Sequence, residues 1–404
     1  MTEKSTTSSN TPNPNPESNT KLLIPIVITV LAVYITIGIS IGILPKFIKQ
    51  ELGFGNLTVG LVIGLQALSA LLTRASAGKT TDVLGSKISS RRGILLVLIA
   101  GILYMFASSS ISIPLLSISL LVLSRIVHGI AESFLVTGML TWGIGLLGQQ
   151  NSGKVMTWNG IAMYAGIAIG APFSLWIVQF GTLFAFTSIL VFTFISWIAS
   201  KGLPIVPVHK GYVRTPFYKV IGKVFPQGIA LAFSSIAFAC IASFIALLFS
   251  QKNWNGASLG FLFFGGSYIL TRVFFSSYPD RFGGFKVAMI SFLIEIAGQL
   301  CIGLSSNGCT AILGCALTGI GFSLVFPSLG VLAIQKITPQ MRGTALGAYA
   351  AFFDLSLGIA GPVAGLIAGW FSYQTIYFFG AFSCVIAIAS LLQSERKEIQ
   401  AIIN

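Results

Sequence analysis

Thr73-Arg-Ala-Ser-Ala-Gly78-Lys-Thr-Thr-Asp82-Val-Leu-Gly85-Ser-Lys87 and Thr271-Arg-Val-Phe-Phe-Ser-Ser-Tyr-Pro-Asp280-Arg-Phe-Gly283 are two versions of one pattern. In each, a Thr-Arg pair precedes an Asp and a Gly at the same distances, and in each an apolar stretch stands before and after. The second copy is degraded, with Ser276 in the place of Gly78, but it keeps Asp280, Arg281 and Gly283. A pattern repeated at matching places divides the chain into two parallel halves, which is a recurrent plan among membrane transporters.

Outward from these two sites, the chain is a series of apolar runs of the length that crosses a hydrocarbon core as a helix, about 20 residues. They lie at 22–44, 58–77, 93–113, 116–146, 156–179, 182–200, 226–250, 257–277, 287–306, 309–334, 344–369 and 373–393. The spacing therefore predicts an N-terminal six-helix bundle at 22–199 and a C-terminal one at 226–393. A Ser/Thr/Asn/Pro-rich tail (1–21), a basic linker (200–225) and a second tail (394–404) complete the chain. Composition excludes a soluble alternative: charged residues are 8% of the 404 and apolar ones 54%, whereas soluble domains carry about 25% charged residues. Cys240, Cys315 and Cys384 lie in apolar runs and are read as packing residues.

The excess of 24 Lys and Arg over 10 Asp and Glu does not form the basic face or aromatic-interleaved stripe of a nucleic-acid binder. With the N-terminus inside, 20 Lys/Arg fall on the cytoplasmic side and three (Lys46, Lys49, Lys252) outside, while Arg125 is within a helix. This asymmetry orients the helices with both termini cytoplasmic. Gly78-Lys79-Thr80 imitates the end of a phosphate loop, but Thr73 stands where that loop needs Gly, so no nucleotide site is expected. Nothing in the short connections assembles a catalytic set, so no enzyme and no cofactor is expected.

Several motifs converge on one family. Gly78-Lys-Thr-Thr-Asp82-Val-Leu-Gly85-Ser-Lys87 resembles the GxxxDxxGxK signature between helices two and three of the major facilitator superfamily, and Arg125-Ile-Val-His128-Gly129 resembles its RxxxG motif. Gly166-Ile-Ala-Ile-Gly170-Ala-Pro172 resembles the Gly/Pro motif of the family's proton-coupled exporters, with Ala171 departing from it, and Gly361-Pro362-Val-Ala-Gly365 repeats the theme. Glu132-Ser-Phe, Thr141-Trp-Gly-Ile-Gly145, Trp158-Asn-Gly-Ile161, Gly321-Phe-Ser-Leu-Val-Phe-Pro327 and Arg342-Gly-Thr-Ala-Leu346 are similar to bacterial efflux permeases of the arabinose-efflux type. The resemblance implies an all-α membrane protein with twelve transmembrane helices in two pseudo-symmetric six-helix bundles, in the bacterial inner membrane. It also implies a central cavity lined in part by helix four.

Arg74, Gly78, Asp82, Gly85 and Lys87, with Arg272, Asp280, Arg281 and Gly283, are expected to form a gate at the cytoplasmic surface. The alternative is a plain positive-inside loop with a turn glycine. Gly166, Gly170, Pro172, Gly361 and Pro362 suit helices that pack closely and bend, or ordinary small-residue packing.

Four charges stand within apolar runs and away from their ends: Arg125, Glu132, Glu295 and Asp354. Each costs about 2.5–3.5 kcal/mol at a helix centre on insertion scales, so each calls for a partner or a function. Arg125, His128 and Glu132 share one helical face. Glu132 and Asp354 are the expected proton-carrying acids, with Arg125 holding the acid or binding an anionic group. The alternative is a structural Arg125–Glu132 pair, and likewise a structural partnered Asp354. His128 is read as a packed histidine or proton relay rather than a metal ligand, since no further ligand accompanies it and Glu132. Glu295 falls in a helix that is peripheral in the family. Of the helix aromatics Tyr34, Trp142, Trp158, Tyr164 and Phe326, Tyr34 and Phe326 are taken as cavity candidates.

These readings give a monomeric secondary transporter that exports a small organic compound against protons by alternating access, with the proton gradient as driving force. The substrate and the lipid bilayer are its expected partners. An importer or facilitator, or a non-transporting receptor or lipid-handling protein on the same scaffold, are the alternatives.

Overall fold

The computed structural model describes residues 16–148, 151–207, 218–335, 337 and 342–403. His209, Lys210 and Arg214 of the linker, Lys336 and the first fifteen residues of the tail lie outside the described residues. The helices are α1 (Pro16–Lys46), α2 (Asn56–Leu84), α3 (Ser86–Ser109), α4 (Pro114–Leu147), α5 (Ser152–Ile177), α6 (Thr182–Lys201) and α7 (Tyr218–Gln251). They continue as α8 (Ala257–Phe275), the short α9 (Tyr278–Phe282), α10 (Gly284–Gly303), α11 (Gly308–Gln335), α12 (Arg342–Trp370) and α13 (Tyr373–Ile403). A π-turn, Phe47–Glu51, prolongs α1. Among the described residues, twelve helices are long and apolar enough to cross a membrane. Leu72, Phe194 and Phe274 project exposed from them; the hydrocarbon is the solvent that such side chains fit.

The helices outrun the apolar runs at several ends. The first begins at Pro16 rather than after the expected tail at 1–21, with Pro in the first turn where its missing N–H costs nothing. The last runs to Ile403, through most of the expected tail at 394–404, and α7 takes in the end of the expected linker. Helix propensity continues past the hydrocarbon boundary, which a hydropathy reading cannot see. The same effect corrects the reading of Gly78–Lys87 as a loop: α2 continues through Leu84 and α3 starts at Ser86. The turn is Gly85 alone, at φ +95°, and its repeat-mate Gly283 sits at φ +88°. Both need the conformation that a side chain resists.

Packing repeats as the motifs do. In the first half α1 lies on α5 and α6, and α4 on α2 and α3; in the second, α7 lies on α12 and α13, and α11 on α8 and α10. The halves meet where α2 packs on α12, α5 on α8 and α1 on α7. An added Cβ on Gly129 of α4 would run into the Gln66 carbonyl of α2, and one on Gly319 of α11 into the Phe264 carbonyl of α8. This fixes the correspondence of the halves residue by residue: Gln66 with Phe264, and Glu132 with Phe322.

One face of the bundle carries the Gly85 and Gly283 turns and is called the basic face below. Toward the opposite face the halves are closely sealed. Gly60 and Gly64 of α2 admit the Gly361 and Gly358 carbonyls of α12 so closely that a Cβ on either would overlap them. Tyr373 Oη donates to Asn56 Oδ1 at 2.9 Å, and Gln50 Nε2 to Ser250 Oγ at 2.9 Å.

Candidate functional site

Glu132 lies near the middle of α4, between the halves. Tyr34 Oη of α1 donates to its Oε1 and Gln66 Nε2 of α2 to its Oε2, each at 2.8 Å. No cation pairs with it among the described residues. Both carboxyl oxygens are thus held by neutral donors from two other helices of the first half.

Asp354 of α12 has the other environment. Arg74 Nη2 of α2 donates to its Oδ2 in an ion pair that crosses from one half to the other. Asp354 is buried and Arg74 is a quarter exposed, so the pair is largely removed from solvent. Removing one partner of such a pair leaves an uncompensated charge, which is far costlier than the pair itself.

Both acids line one cavity of about 80 Å³, with Tyr34, Gln66, Tyr164, Phe238 and Phe353 among its walls. That volume holds a few waters, whereas sites for organic ligands run to about 300–1,000 Å³. The cavity as it stands is therefore smaller than a site for an organic ligand. Tyr164 of α5 carries an aromatic wall contributed by the second half. Its ring centroid is 3.9 Å from that of Tyr268 and 5.9 Å from those of Phe238 and Phe322. Phe238 stacks on Phe264 and Phe322 at 5.2 and 5.7 Å.

Arg74 and Arg272 are placed differently from the expected surface gate. They are inside α2 and α8, each eleven residues before its glycine turn. Arg74 reaches the cavity acid. Arg272 is buried and donates Nη2 to Tyr268 Oη at 2.7 Å. Taking these two from the tally leaves eighteen Lys/Arg against three in the loops and helix ends, so the charge asymmetry survives. Gly78 is buried within α2, and Asp82 is exposed in its last turn. Lys87 ties α3 to its own half, donating to the Leu203 carbonyl at 3.1 Å and lying over the Trp142 ring. Asp280 and Arg281 are exposed on α9.

Arg125 does not hold Glu132. Its guanidinium donates to the Val62 and Ile63 carbonyls at 3.2 and 2.9 Å and to Ser40 Oγ at 3.0 Å, stapling α4 to α2 and α1. The shared helical face is real, but a long Arg side chain reaches a different helix from the shorter Glu. His128, fully buried, lies 3.1 Å from Thr36 Oγ1 and edge-on to Tyr104. Thr36 gives its own proton to the Val33 carbonyl at 2.6 Å, so the contact requires His128 Nε2 to be the donor. His128 and Glu132 thus meet different partners. Phe326 is not at the cavity: it packs on Tyr349, centroids 5.0 Å apart, in a separate cluster toward the ends of α11 and α12. Glu295 is buried inside the second bundle, accepting from Ser234 Oγ at 2.8 Å and Cys384 Sγ at 3.1 Å.

The Gly/Pro runs do unlike work. Gly166 and Gly170 let α5 approach α1 inside the first half, each with a Cβ position against the Tyr34–Ile39 backbone. Gly361, beside Pro362, faces Gly60 across the halves. Pro172 and Pro362 lie inside α5 and α12. Gln66, Phe238 and Phe322 were not singled out in the sequence. A neutral Gln eight residues before Arg74 carries no warning of its role; its repeat-mate Phe264 is the only hint, since one member of the pair is polar and the other is not.

The comparisons with known proteins agree with this architecture. The Major Facilitator Superfamily profile matches residues 26–211 and 227–402, one block per half. The chain is 38% identical over 353 residues to the uncharacterized MFS-type transporter YhhS of Escherichia coli K12, covering 87% of this chain and 86% of that one. It is also 38% identical over 351 residues to the uncharacterized MFS-type transporter BMASAVP1_A0869 of Burkholderia mallei, with 86% of each chain covered. Among solved structures it resembles a mutant of the nucleoside transporter NupG, with TM-score 0.72 and 18% identity over 92% of this chain and 99% of that one. The human organic anion transporter MFSD10 gives TM-score 0.70 and 15% identity over 94% and 100%. At those identities the likeness concerns the fold. With two repeated six-helix halves closing on a cavity that holds membrane-buried acids, the chain belongs to the major facilitator superfamily of membrane transporters.

Proposed function

We propose that the protein exports a small organic compound in exchange for protons, with Glu132 and Asp354 as the proton-carrying groups. The observation that carries this reading is the Arg74–Asp354 pair, made across the two halves within reach of the same small cavity as Glu132. Protonation of Asp354 removes the charge that attracts Arg74, and one tie between the halves is lost. Departure of that proton restores the pair and draws α2 and α12 together. Glu132, held only by Tyr34 and Gln66, exchanges its proton or its hydrogen bonds with cargo in the same space. Cargo and proton thus compete for one closed cavity, and competition of this kind couples their movements in opposite directions.

The direction of transport rests on orientation and resemblance. The Lys/Arg asymmetry supports a cytoplasmic basic face with both termini inside, and the bacterial relatives support an inner-membrane location. The likeness of Glu132-Ser-Phe to arabinose-efflux-type permeases, and of Gly166–Pro172 to the Gly/Pro motif of proton-coupled exporters, supports export rather than uptake. A monomer suffices, since the cavity is formed within one chain. The proton gradient drives the cycle without a bound cofactor.

The test uses proteoliposomes and a compound identified by its stabilisation of the purified protein, since any ligand of the native state raises its apparent Tm. An imposed pH gradient should drive that compound one way, and reversing the gradient should reverse the flux. Asp354→Asn should abolish the gradient dependence. A flux indifferent to the gradient in the wild type would mean facilitated diffusion, the reading that Ala171 in the exporter motif favours.

A further inference from the structure

Arg272 is the repeat-mate of Arg74, and the two differ in one respect that has a chemical consequence. Arg74 has Asp354 of α12 as its counter-ion. The matching position on α5 is Tyr164: both residues stand eight before their helix proline, Pro172 or Pro362. Among the described residues Arg272 therefore has no carboxylate partner, although only 9% of its surface is exposed. Its partner is the neutral Tyr268 hydroxyl at 2.7 Å, and its Nε has none. The guanidinium also lies 5.4 Å from the Tyr268 ring centroid. A cation–π contact and one neutral hydrogen bond offset only part of what burying an unpaired cation costs.

Its surroundings suit an anion. The guanidinium faces Gly160 of α5, whose absent side chain leaves the space beside Nη2 open. Asn159, the residue before Gly160 on α5, is buried and donates Nδ2 to the Met163 sulfur, 3.4 Å away. Its amide protons are thus barely engaged, since a thioether is a weak acceptor. One turn before it on α8, Tyr268 packs on Tyr164, which lines the cavity together with Phe238 and also meets the Phe322 ring.

We propose that Arg272 is the anion subsite of the cargo, whose flat apolar body lies on the Tyr164–Phe238–Phe322 wall while its carboxylate or phosphoryl group takes the place Asp354 holds at Arg74. This rests on the reading that the cavity carries an organic cargo, but it is tested by equilibrium binding and does not depend on proton coupling.

Purified full-length protein would be titrated with benzoate, 2-naphthoate and phenyl phosphate, and with the neutral isosteres benzamide and 2-naphthamide, following apparent Tm. At least one anion should stabilise the wild type where its neutral isostere does not. Arg272→Gln should weaken that anion between about tenfold and about a hundredfold, and Arg272→Lys should recover part of the loss. Without ligand, Arg272→Gln should melt no lower than the wild type, because an uncompensated charge has been removed. Equal stabilisation by acids and amides, no stabilisation by any of the anions, or undiminished anion binding to folded Arg272→Gln would each overturn the proposal. So would a ligand-free Arg272→Gln that melts well below the wild type, since Arg272 would then be a structural residue. Loss of proton coupling with anion binding intact would instead count against the exchange mechanism alone.

Discussion

The two halves of this molecule share one packing plan and oppose each other in chemistry. Where the first half puts Gln66 and Glu132 at the cavity, the matching residues of the second, Phe264 and Phe322, are buried rings stacked on the cavity-lining Phe238. Where α5 has Tyr164, α12 has Asp354. The first wall presents a carboxyl group held by neutral donors; the second offers ring faces and contributes a single acid, which the first half's Arg74 takes as partner. A duplicated scaffold has thus divided its labour: small residues at helix crossings are kept in both copies because they fix backbone distances, while the residues between them have diverged. The asymmetry also explains how one ion pair can bridge the halves, since each half supplies one member.

The largest way to disturb this division is to break the bridge on one side. Arg74→Gln leaves Asp354 buried without its cation and should destabilise the closed protein by about 3–5 kcal/mol, the range for unpairing a buried ion. Thermal melting checks this, and Arg74→Leu with Asp354→Leu together should recover most of the stability while losing gradient-driven transport. Next in size is the seam toward the face opposite the basic one. Gly60→Ala pushes a methyl into the Gly361 carbonyl and should cost about 1–3 kcal/mol as overpacking, whereas Gly266→Ala, with open space at its Cβ, should leave the Tm nearly unchanged.

Within the polar wall, Tyr34→Phe removes one of the two donors to Glu132. The loss of a hydrogen bond of this class is about 1–2 kcal/mol, so transport should fall by roughly tenfold with little change in the melting curve. The smallest effect belongs to Lys87, which contacts only its own half. Lys87→Met should change stability by about 1 kcal/mol or less and leave the coupling of cargo to protons intact; a large coupling defect there would return the gate to the basic surface and away from the cavity.

The fold was legible because it depends on properties a sequence carries openly: twelve apolar runs, a duplicated Thr-Arg…Asp…Gly pattern and glycines at fixed spacing. Helix ends were less legible, since the helices at Pro16, Leu84 and Ile403 extend where hydropathy has already fallen. Glu132 and Asp354 stood out as charges inside apolar runs. Their partners did not, because partnership is a matter of reach between helices distant in sequence. Arg74 looked like a loop cation and proved to meet an acid 280 residues away. Arg125 looked like the partner of Glu132, seven residues on, and turned instead to the α2 backbone. Phe326 and Tyr164 were equally aromatic and equally helical, and only the rotation of α11 and α5 about their axes decides that Tyr164 meets the cavity.

The central claim is that Glu132 carries a proton that cargo displaces, and proton release on binding measures this most directly. Purified protein in weakly buffered solution with a pH-indicating dye would be mixed with saturating cargo, and the released protons counted. The wild type should release protons in fixed proportion to the cargo bound, and Glu132→Gln should bind the same cargo with that release reduced or absent. Equal proton release from folded Glu132→Gln and from the wild type would contradict the account.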